Sequence, residues 1–341
     1  MASFLALAAV FAVVAVAGGI VYQRAGAARD ARRFRPPGEF IDIRGRRLHL
    51  VVRGEGAPTV WFEAAIAASS LSWTRVQPAV ARFTTACAYD RAGLGWSEPA
   101  VGTPTLSSVV DDLHALVAAS GRPTPCVMVG HSFGAFVCLA FASKYPELVC
   151  GLVLVDPPTD WIQLDRRRGY LLRGARQMSR LGEVLARIGV VRACLALLTG
   201  GAPGAPKQFV KIFGPSTAHT VERLVGEIRK LPEEVHPLVQ AAWCQPKAFR
   251  AMADYLRVFE EAAAAAAEHA IPRNLPLVVV SAGDQPDEVI IAHRRLAEYS
   301  SRGRHVFARN SGHWVPFDEP DVIVDAIRPL LRPASRQAQQ E

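Results

Sequence analysis

Several signatures of common functional classes are missing from this chain of 341 residues. No two of its six cysteines form a Cys-x-x-Cys pair, and no spacing of cysteine and histidine resembles that of a zinc site. The chain also lacks a glycine-rich phosphate-binding loop and a dinucleotide-binding fingerprint. We therefore expect neither a bound metal ion nor a bound cofactor.

The cysteines lie in or beside apolar segments and do not occur in closely spaced pairs. Cys87, Cys126, Cys138 and Cys150 lie in or beside apolar runs that are typical of a protein core. A buried free thiol packs as a small hydrophobic side chain. We therefore expect free thiols and a reducing compartment, since disulfides persist only under oxidising conditions.

Charged side chains are absent from residues 1–23, although the whole chain carries a formal net charge of +8. An apolar run of this length is about long enough to cross a bilayer. A cleaved secretory signal is the alternative, because Ala15-Val16-Ala17 would serve as a cleavage site, but the basic segment that usually opens such a signal is missing. We interpret residues 1–23 as a transmembrane anchor.

Arginines follow the apolar run directly, at Arg24, Arg29, Arg32, Arg33 and Arg35. Positive charge after a span favours a single-pass protein whose folded part is cytoplasmic, whereas signal cleavage would give a secreted or exported protein. Residues 24–37 are predicted to be a basic linker. The arginines flank apolar segments rather than alternate with aromatics, which favours a membrane surface over nucleic acid as the partner.

Short apolar runs alternate with helical patterns from residue 38 onward, which predicts a layered α/β sheet. Two strands are expected to form an antiparallel hairpin at the start, and six more to be buried. The predicted strands are Phe40–Ile43, Leu48–Val52, Thr59–Phe62, Ala86–Tyr89, Cys126–Val129, Leu152–Val155, Leu277–Val280 and His305–Ala308. Apolar spacing predicts helices over Leu106–Ala119 and Ala135–Lys144.

The pattern changes between Pro157 and about Pro272, where no strand is predicted. Helical runs there include Leu181–Leu198, Val221–Leu231 and Phe249–His269. We predict a helical cap at 158–272, inserted into a core made of 38–157 and 273–333, and a polar tail at 334–341. The arginine-rich stretch 166–180 is interpreted as a solvated face of the cap, with a surface that rests on anionic lipid as the alternative.

A candidate nucleophile follows the strand at Cys126–Val129. Residues Gly130–Gly134 fit the pattern Gly-x-Ser-x-Gly around Ser132, and a helical run follows. A sharp strand-to-helix turn with small neighbours lifts the serine hydroxyl clear of the sheet. That hydroxyl needs an adjacent base, and His313 is the best placed of the nine histidines because it follows the last predicted strand.

Four segments in this order resemble the α/β-hydrolase superfamily, in a membrane-anchored, bacterial-type branch similar to esterases and lipases. The segments are Tyr89–Ser97, Gly130–Gly134, Leu152–Asp156 and Ser311–His313, and the resemblance covers nearly all of residues 38–333. It implies a mostly parallel eight-stranded sheet with helices on both faces and a helical cap after the sixth strand. It also implies a catalytic triad in the order Ser, Asp, His.

The resemblance leaves the acid of the triad open. Family members usually place it about nine residues after the proline that starts the seventh strand, and this chain has Gln285 there. Asp284 is preferred because it is closest to the strand end. Asp156 and Asp287 are the alternatives, Asp156 because acids after the sixth strand serve in some branches.

The resemblance further implies an oxyanion hole made of two backbone amides, those of Phe133 and of Ile66 in the loop after the third strand. Relatives often carry His-Gly where this chain has Ala64 and Ala65, but the donor is the amide of the residue that follows. The neighbouring pair Asp90-Arg91 is expected to form a structural turn.

These observations predict a serine hydrolase that cleaves a carboxylic ester, with a lipophilic acyl group, through an acyl-serine intermediate. The expected partners are a small-molecule ester or lipid substrate and a membrane, but no nucleic acid. A serine at this turn argues against dehalogenases and epoxide hydrolases, whose ester intermediate forms on a carboxylate. The alternatives are an amide- or peptide-cleaving serine hydrolase and a catalytically silent, membrane-tethered binding protein of the same fold.

Overall fold

The computed structural model describes residues 1–159, 166–199, 230–266 and 271–331. Its strands are β1 (Glu39–Asp42), β2 (Arg47–Arg53), β3 (Val60–Glu63), β4 (Ala86–Tyr89), β5 (Cys126–His131), β6 (Val149–Val155), β7 (Leu277–Ala282) and β8 (Gly303–Ala308). They form one eight-stranded sheet in the order β1-β2-β4-β3-β5-β6-β7-β8. The first hairpin and the β2–β4 pair are antiparallel, and every other pair is parallel.

The predicted fold class, an α/β protein with a mostly parallel eight-stranded sheet, is confirmed. Each predicted strand overlaps an observed one, and the opening hairpin is antiparallel as expected. The central strands are rich in valine because both of their faces are covered. Val127, Val153 and Val280 are completely buried, on three neighbouring strands of the sheet.

The helices of the described residues are α1 (Ala2–Arg33), α2 (Gln77–Val80), α3 (Leu106–Ala119), α4 (Phe133–Lys144), α5 (Arg166–Arg187), α6 (Val190–Thr199), α7 (His236–Trp243), α8 (Pro246–Ala266), α9 (Asp287–Glu298), α10 (Val315–Asp318) and α11 (Pro320–Ile327). Helix α3 starts where predicted because Thr105 and Ser108 form a capping box, in which each side chain bonds the backbone of the other.

The chain divides into two compact units. The larger consists of the described residues of 37–174 and 254–341 and contains the whole sheet. The smaller consists of the described residues of 1–36 and 175–253 and is helical in its regular elements.

Helix α1 is long and apolar enough to cross a membrane. Its span Ser3–Arg33 has a mean hydropathy of 2.7 over an 18-residue window, none of which is buried. A signal sequence would have the same properties. The helix runs on to Arg33, so most of the predicted linker 24–37 is helical, and only the residues around Pro36 are not.

The described residues between Pro157 and Pro272 contain helices and no strand, as the sequence pattern predicts. The predicted helix Leu181–Leu198 is interrupted at Gly189, which has a φ of 79° and separates α5 from α6. Most of the predicted helix Val221–Leu231 and the tail at 334–341 lie outside the described residues. The division into anchor, linker, core and cap remains a prediction.

All six cysteines are free. Burial raises the pKa of the Cys87 thiol to about 12, so this side chain stays protonated. The four cysteines expected in the core are buried or half-buried. The reducing compartment inferred from them remains a prediction.

Candidate active site

Ser132 lies in a tight turn between β5 and α4. Its φ of 53° and ψ of −120° are strained for a residue with a side chain. The turn depends on glycine, because a Cβ atom on Gly130 would lie 2.4 Å from the carbonyl oxygen of Gly134. The amide of Ser132 donates a hydrogen bond to the carbonyl of Val155 (2.9 Å), which ties the turn to β6.

The loop after β3 packs directly against this turn. A Cβ atom on Gly134 would lie 2.3 Å from the carbonyl oxygen of Glu63 and 2.8 Å from that of Ala64. Only glycine at position 134 allows this approach. The amide of Phe133, the first residue of α4, has no acceptor within its own helix and can bind an anion.

Arg91 holds the loop after β3 in place. Its guanidinium donates hydrogen bonds to the carbonyls of Ala64 (2.7 Å), Ala65 and Ile66 (3.1 Å) and pairs with the carboxylate of Glu63. It is buried, with the rings of Phe133 and Tyr255 each centred 5.0 Å from its central carbon.

Asp90, beside Arg91, is also structural. Its carboxylate is buried and accepts hydrogen bonds from the amides of Ser70 (2.7 Å) and Trp96 (2.9 Å) and bonds the ring of His49 (2.8 Å). The expectation of a structural turn at Asp90 and Arg91 agrees with these contacts. The sequence did not indicate that Arg91 would bind the loop that carries Ile66.

His313 lies in the loop between β8 and α10, and its Nδ1 is 2.7 Å from Oδ2 of Asp156. Asp156 follows β6, is buried, and has a positive φ of 43°. The amides of Ala282 (3.1 Å, backbone) and Gln285 (2.6 Å, side chain) also donate to its carboxylate. Burial opposes ionisation, but the bond to His313, the charge of that ring and the two amides outweigh it, so the pKa of Asp156 lies below its usual value.

The partner of His313 corrects the preferred sequence assignment. The ring bonds Asp156, the alternative, and not Asp284 or Asp287. Gln285 occupies the position at which the resemblance placed the acid, and its side-chain amide donates to Asp156. Asp287 begins α9, where a carboxylate stabilises the helix N-terminus, and Asp284 lies near Gly312.

His131 supports the loop that carries His313. Its Nε2 donates a hydrogen bond to the carbonyl of His313 (2.7 Å), and its ring lies 4.9 Å from the His313 ring and 5.2 Å from that of Trp314. Burial lowers the pKa of His131 to about 3, so the ring is neutral with its proton on Nε2. No pattern in the sequence indicated this support.

No group of three or more His, Cys, Asp or Glu side chains that could hold a metal ion occurs in the described ranges. The expectation of a metal-free, cofactor-free site remains a prediction. The chemistry of the described groups is that of a serine hydroxyl, an imidazole oriented by an ionised carboxylate, and backbone amides.

Comparisons with known proteins agree with the fold. A family model described as the alpha/beta hydrolase fold matches residues 58–192. An uncharacterised protein of Schizosaccharomyces pombe is 24% identical over 267 residues, which are 75% of this chain and 43% of that protein. The chain likewise matches 47% and 42% of two uncharacterised Bacillus subtilis proteins, so it spans less than half the length of these relatives.

Solved structures cover more of the chain. An esterase from Thermogutta terrifontis is 19% identical, with a TM-score of 0.59 over 86% of this chain and 97% of that one. An epoxide hydrolase from Bacillus megaterium is 18% identical, with a TM-score of 0.59 over 86% of this chain and 99% of that one. Because neighbours with different chemistries share the fold, the substrate has to be argued from the site.

Proposed function

Because this chain belongs to the α/β-hydrolase superfamily, we propose that it is a serine hydrolase with Ser132, His313 and Asp156 as its triad. The bond between His313 Nδ1 and Asp156 Oδ2 (2.7 Å) carries this proposal, because it joins the best-placed base candidate of the sequence to an ionised acid. The proposed acid follows β6 rather than β7, and the chain order Ser, Asp, His is kept.

In the proposed reaction Ser132 Oγ attacks the carbonyl carbon of the substrate. His313 is bonded through Nδ1, so Nε2 is the atom that takes the serine proton and then delivers it to the leaving group. Asp156 holds the ring in this tautomer and offsets its positive charge. Water then attacks the acyl-serine with the same base and releases the acid.

The oxyanion of each tetrahedral intermediate would be bound by the amides of Phe133 and Ile66. The first is the free amide of a helix N-terminus, where the helix dipole favours negative charge. The second belongs to the loop whose carbonyls Arg91 fixes. The contact of that loop with Gly134 supports the pairing of the two amides.

We propose a carboxylic ester, with a lipophilic acyl group, as the substrate. Serine at the turn supports acyl transfer over the carboxylate chemistry of epoxide hydrolases and dehalogenases. The apolar helix α1 supports an acyl group that partitions into lipid. The full chain, purified in detergent, should hydrolyse p-nitrophenyl esters with an optimum at one chain length, and Ser132→Ala should abolish the activity.

Labelling with a fluorophosphonate separates the alternatives. Labelling without ester hydrolysis would point to an amide or peptide substrate on the same serine. The absence of both labelling and hydrolysis would contradict a serine hydrolase and favour a binding protein of this fold. Labelling that persists in Ser132→Ala would show that another residue is the nucleophile.

We also propose that α1 anchors the protein in a membrane, with the larger unit on the cytoplasmic side. The uncharged run before Arg24 and the arginines after it support this orientation. The expected result is that the protein stays in the membrane after carbonate extraction and that protease added to sealed cells leaves it intact. A mature chain that begins after Ala17, or release into the medium, would instead establish a cleaved signal.

A further inference from the structure

The second half of α1 packs closely against other helices of the smaller unit. A Cβ atom on Gly19 would lie 2.1 Å from the carbonyl oxygen of Ile188, and one on Gly26 would lie 2.6 Å from Nε of Arg192. The contact is mutual, since a Cβ atom on Gly189 would lie 2.6 Å from the carbonyl oxygen of Gly19. Small residues let these backbones touch, as they do between helices in membranes.

A polar cluster fastens the same contact. The side-chain amide of Gln23 is buried, donates to the carbonyl of Cys244 (2.8 Å) and accepts from Nε of Arg192 (2.9 Å). Arg192 also pairs with Asp30, at 2.7 Å. Helix α1 therefore presents polar groups to α6 at the level where its uncharged run ends.

The charges on α1 set the depth of this contact. Arg24 is the first charged residue, so the edge of the hydrocarbon layer lies near it. Gly19 precedes Arg24 by five residues, which is about 7 Å along the helix axis. If α1 crosses a bilayer, the junction of α5 and α6 at Ile188 and Gly189 therefore lies close to the interface, on the hydrocarbon side of the level of Arg24.

Helix α5 exposes an apolar strip as it approaches this junction. Met178, Leu181 and Val184 are 57%, 49% and 54% exposed. At about 100° per residue they share an arc of about 120° centred on Leu181. Arg180 and Arg187 are exposed, seven residues apart, and border one edge of the arc, whereas Ala186 is buried on the opposite side.

We propose that this outer face of α5, made of Met178, Leu181, Val184, Arg180 and Arg187, lies in the interface of an anionic bilayer. The proposal rests on the membrane anchoring proposed above but not on the chemistry of Ser132. Exposed apolar side chains with an arginine border fit a lipid surface, where an apolar strip enters about 5–10 Å and the arginines meet anionic headgroups. The junction at Ile188 brings the end of α5 to that depth.

A tryptophan placed on the face tests the contact. Leu181→Trp and the matched control Ile291→Trp, whose parent side chain is 48% exposed on α9, are made in the full chain and reconstituted in vesicles of phosphatidylcholine and phosphatidylglycerol. Emission of the parent protein, which has six tryptophans, is subtracted. Brominated phosphatidylcholine should quench the emission added by Leu181→Trp at least about twofold and leave that of Ile291→Trp unchanged. Equal quenching of both, or of neither, would overturn the proposal.

A charge reversal tests the lipid chemistry. In the Leu181→Trp background, Arg180→Glu should weaken the quenching, and so should vesicles of phosphatidylcholine alone, whereas Arg304→Glu, an exposed change on β8, should not. Quenching that is insensitive to Arg180→Glu and to the headgroup would refute an anionic surface. Fluorophosphonate labelling of the same samples reports separately on the hydrolase proposal, so either can fail alone.

Discussion

The carboxylate of Asp156 bonds three residues that come from two distant segments of the chain. His313 follows β8, Ala282 ends β7, and Gln285 follows β7. Two of these donors, Ala282 and Gln285, come from the strand end where relatives usually keep the acid. In the proposed triad, Asp156 is therefore held by donors from the end of β7 as well as by His313.

Replacing Asp156 by asparagine should lower kcat by about 10³- to 10⁴-fold, because the ring of His313 would lose its tautomer and its compensating charge. Asp284→Asn is the matched control and should retain activity within about twofold of the parent. Ester hydrolysis at saturating substrate measures both. If Asp284→Asn is inactive and Asp156→Asn is active, the acid of the triad is Asp284, after β7, and not Asp156.

His131 makes stability depend on pH. Its pKa is about 3 in the folded protein and about 6.5 in an unfolded chain. Below about pH 6.5 the His131 ring is protonated in the unfolded state but not in the folded state. The stability that the neutral ring contributes is therefore complete above that pH and is lost as the pH falls toward 3.

The variant His131→Gln keeps a donor for the carbonyl of His313 but does not titrate. Relative to this variant, the parent should lose about 2 kcal/mol of unfolding free energy between pH 7 and pH 5. Denaturant unfolding of both proteins in detergent at the two pH values measures the difference. Parallel changes in the two proteins would mean that His131 is protonated in the folded state.

Ser132 and His313 could be proposed from the sequence because each lies in a local pattern, a glycine-flanked turn and a loop after the last strand. The sequence alone did not decide between the three candidate acids. Asp156, Asp284 and Asp287 all lie near the ends of neighbouring parallel strands, where a few ångströms decide which carboxylate reaches the imidazole. The hydrogen bond from Gln285 to Asp156, which helps to hold that carboxylate, joins residues far apart in the chain.

Among the elements, the loop after β3 depends on a side chain outside it. Arg91 binds the carbonyls of Ala64, Ala65 and Ile66, and those bonds orient the amide proposed for the oxyanion. In the proposed reaction Arg91 is therefore a positioning residue. Lysine keeps the charge beside Glu63 but cannot span several carbonyls at once.

The variant Arg91→Lys should lower kcat at least about tenfold with little change in KM, because the transition state loses an aligned donor while substrate binding is kept. Arg53→Lys, an exposed change at the end of β2, is the control. Steady-state kinetics with a p-nitrophenyl ester separate the two constants. A rise in KM alone would assign Arg91 to the binding of substrate.

Element positions followed from the sequence better than element ends. The apolar runs marked every strand, but β7 continues through Ser281 and Ala282, which look too polar or too small to extend an apolar run. Helix α4 begins at Phe133, two residues before the predicted start, because the tight turn at Ser132 leads straight into it. The ends of these elements depend on packing against neighbouring segments, which the local sequence pattern does not reveal.

In the molecule as a whole, α1 is part of the smaller unit rather than a free tether. Arg192→Leu would leave Asp30 and Gln23 without their cation, so the unfolding free energy should fall by about 3 kcal/mol. Arg187→Leu removes an arginine that is 56% exposed and should cost less than about 1 kcal/mol. Unfolding of the full chain in detergent compares them. Equal stability of the two variants would mean that the contact between α1 and α6 contributes nothing.

The strained backbone at Ser132 means that the residue proposed for activity is not the residue that would make this turn most stable. Glycine tolerates a φ of 53° without the strain that any side chain brings there. Ser132→Gly should therefore unfold at a higher denaturant concentration than Ser132→Ala, and both should be inactive. If the proposed function is right, selection for thermal tolerance alone would favour that glycine at the expense of activity, and a demand for turnover would favour serine.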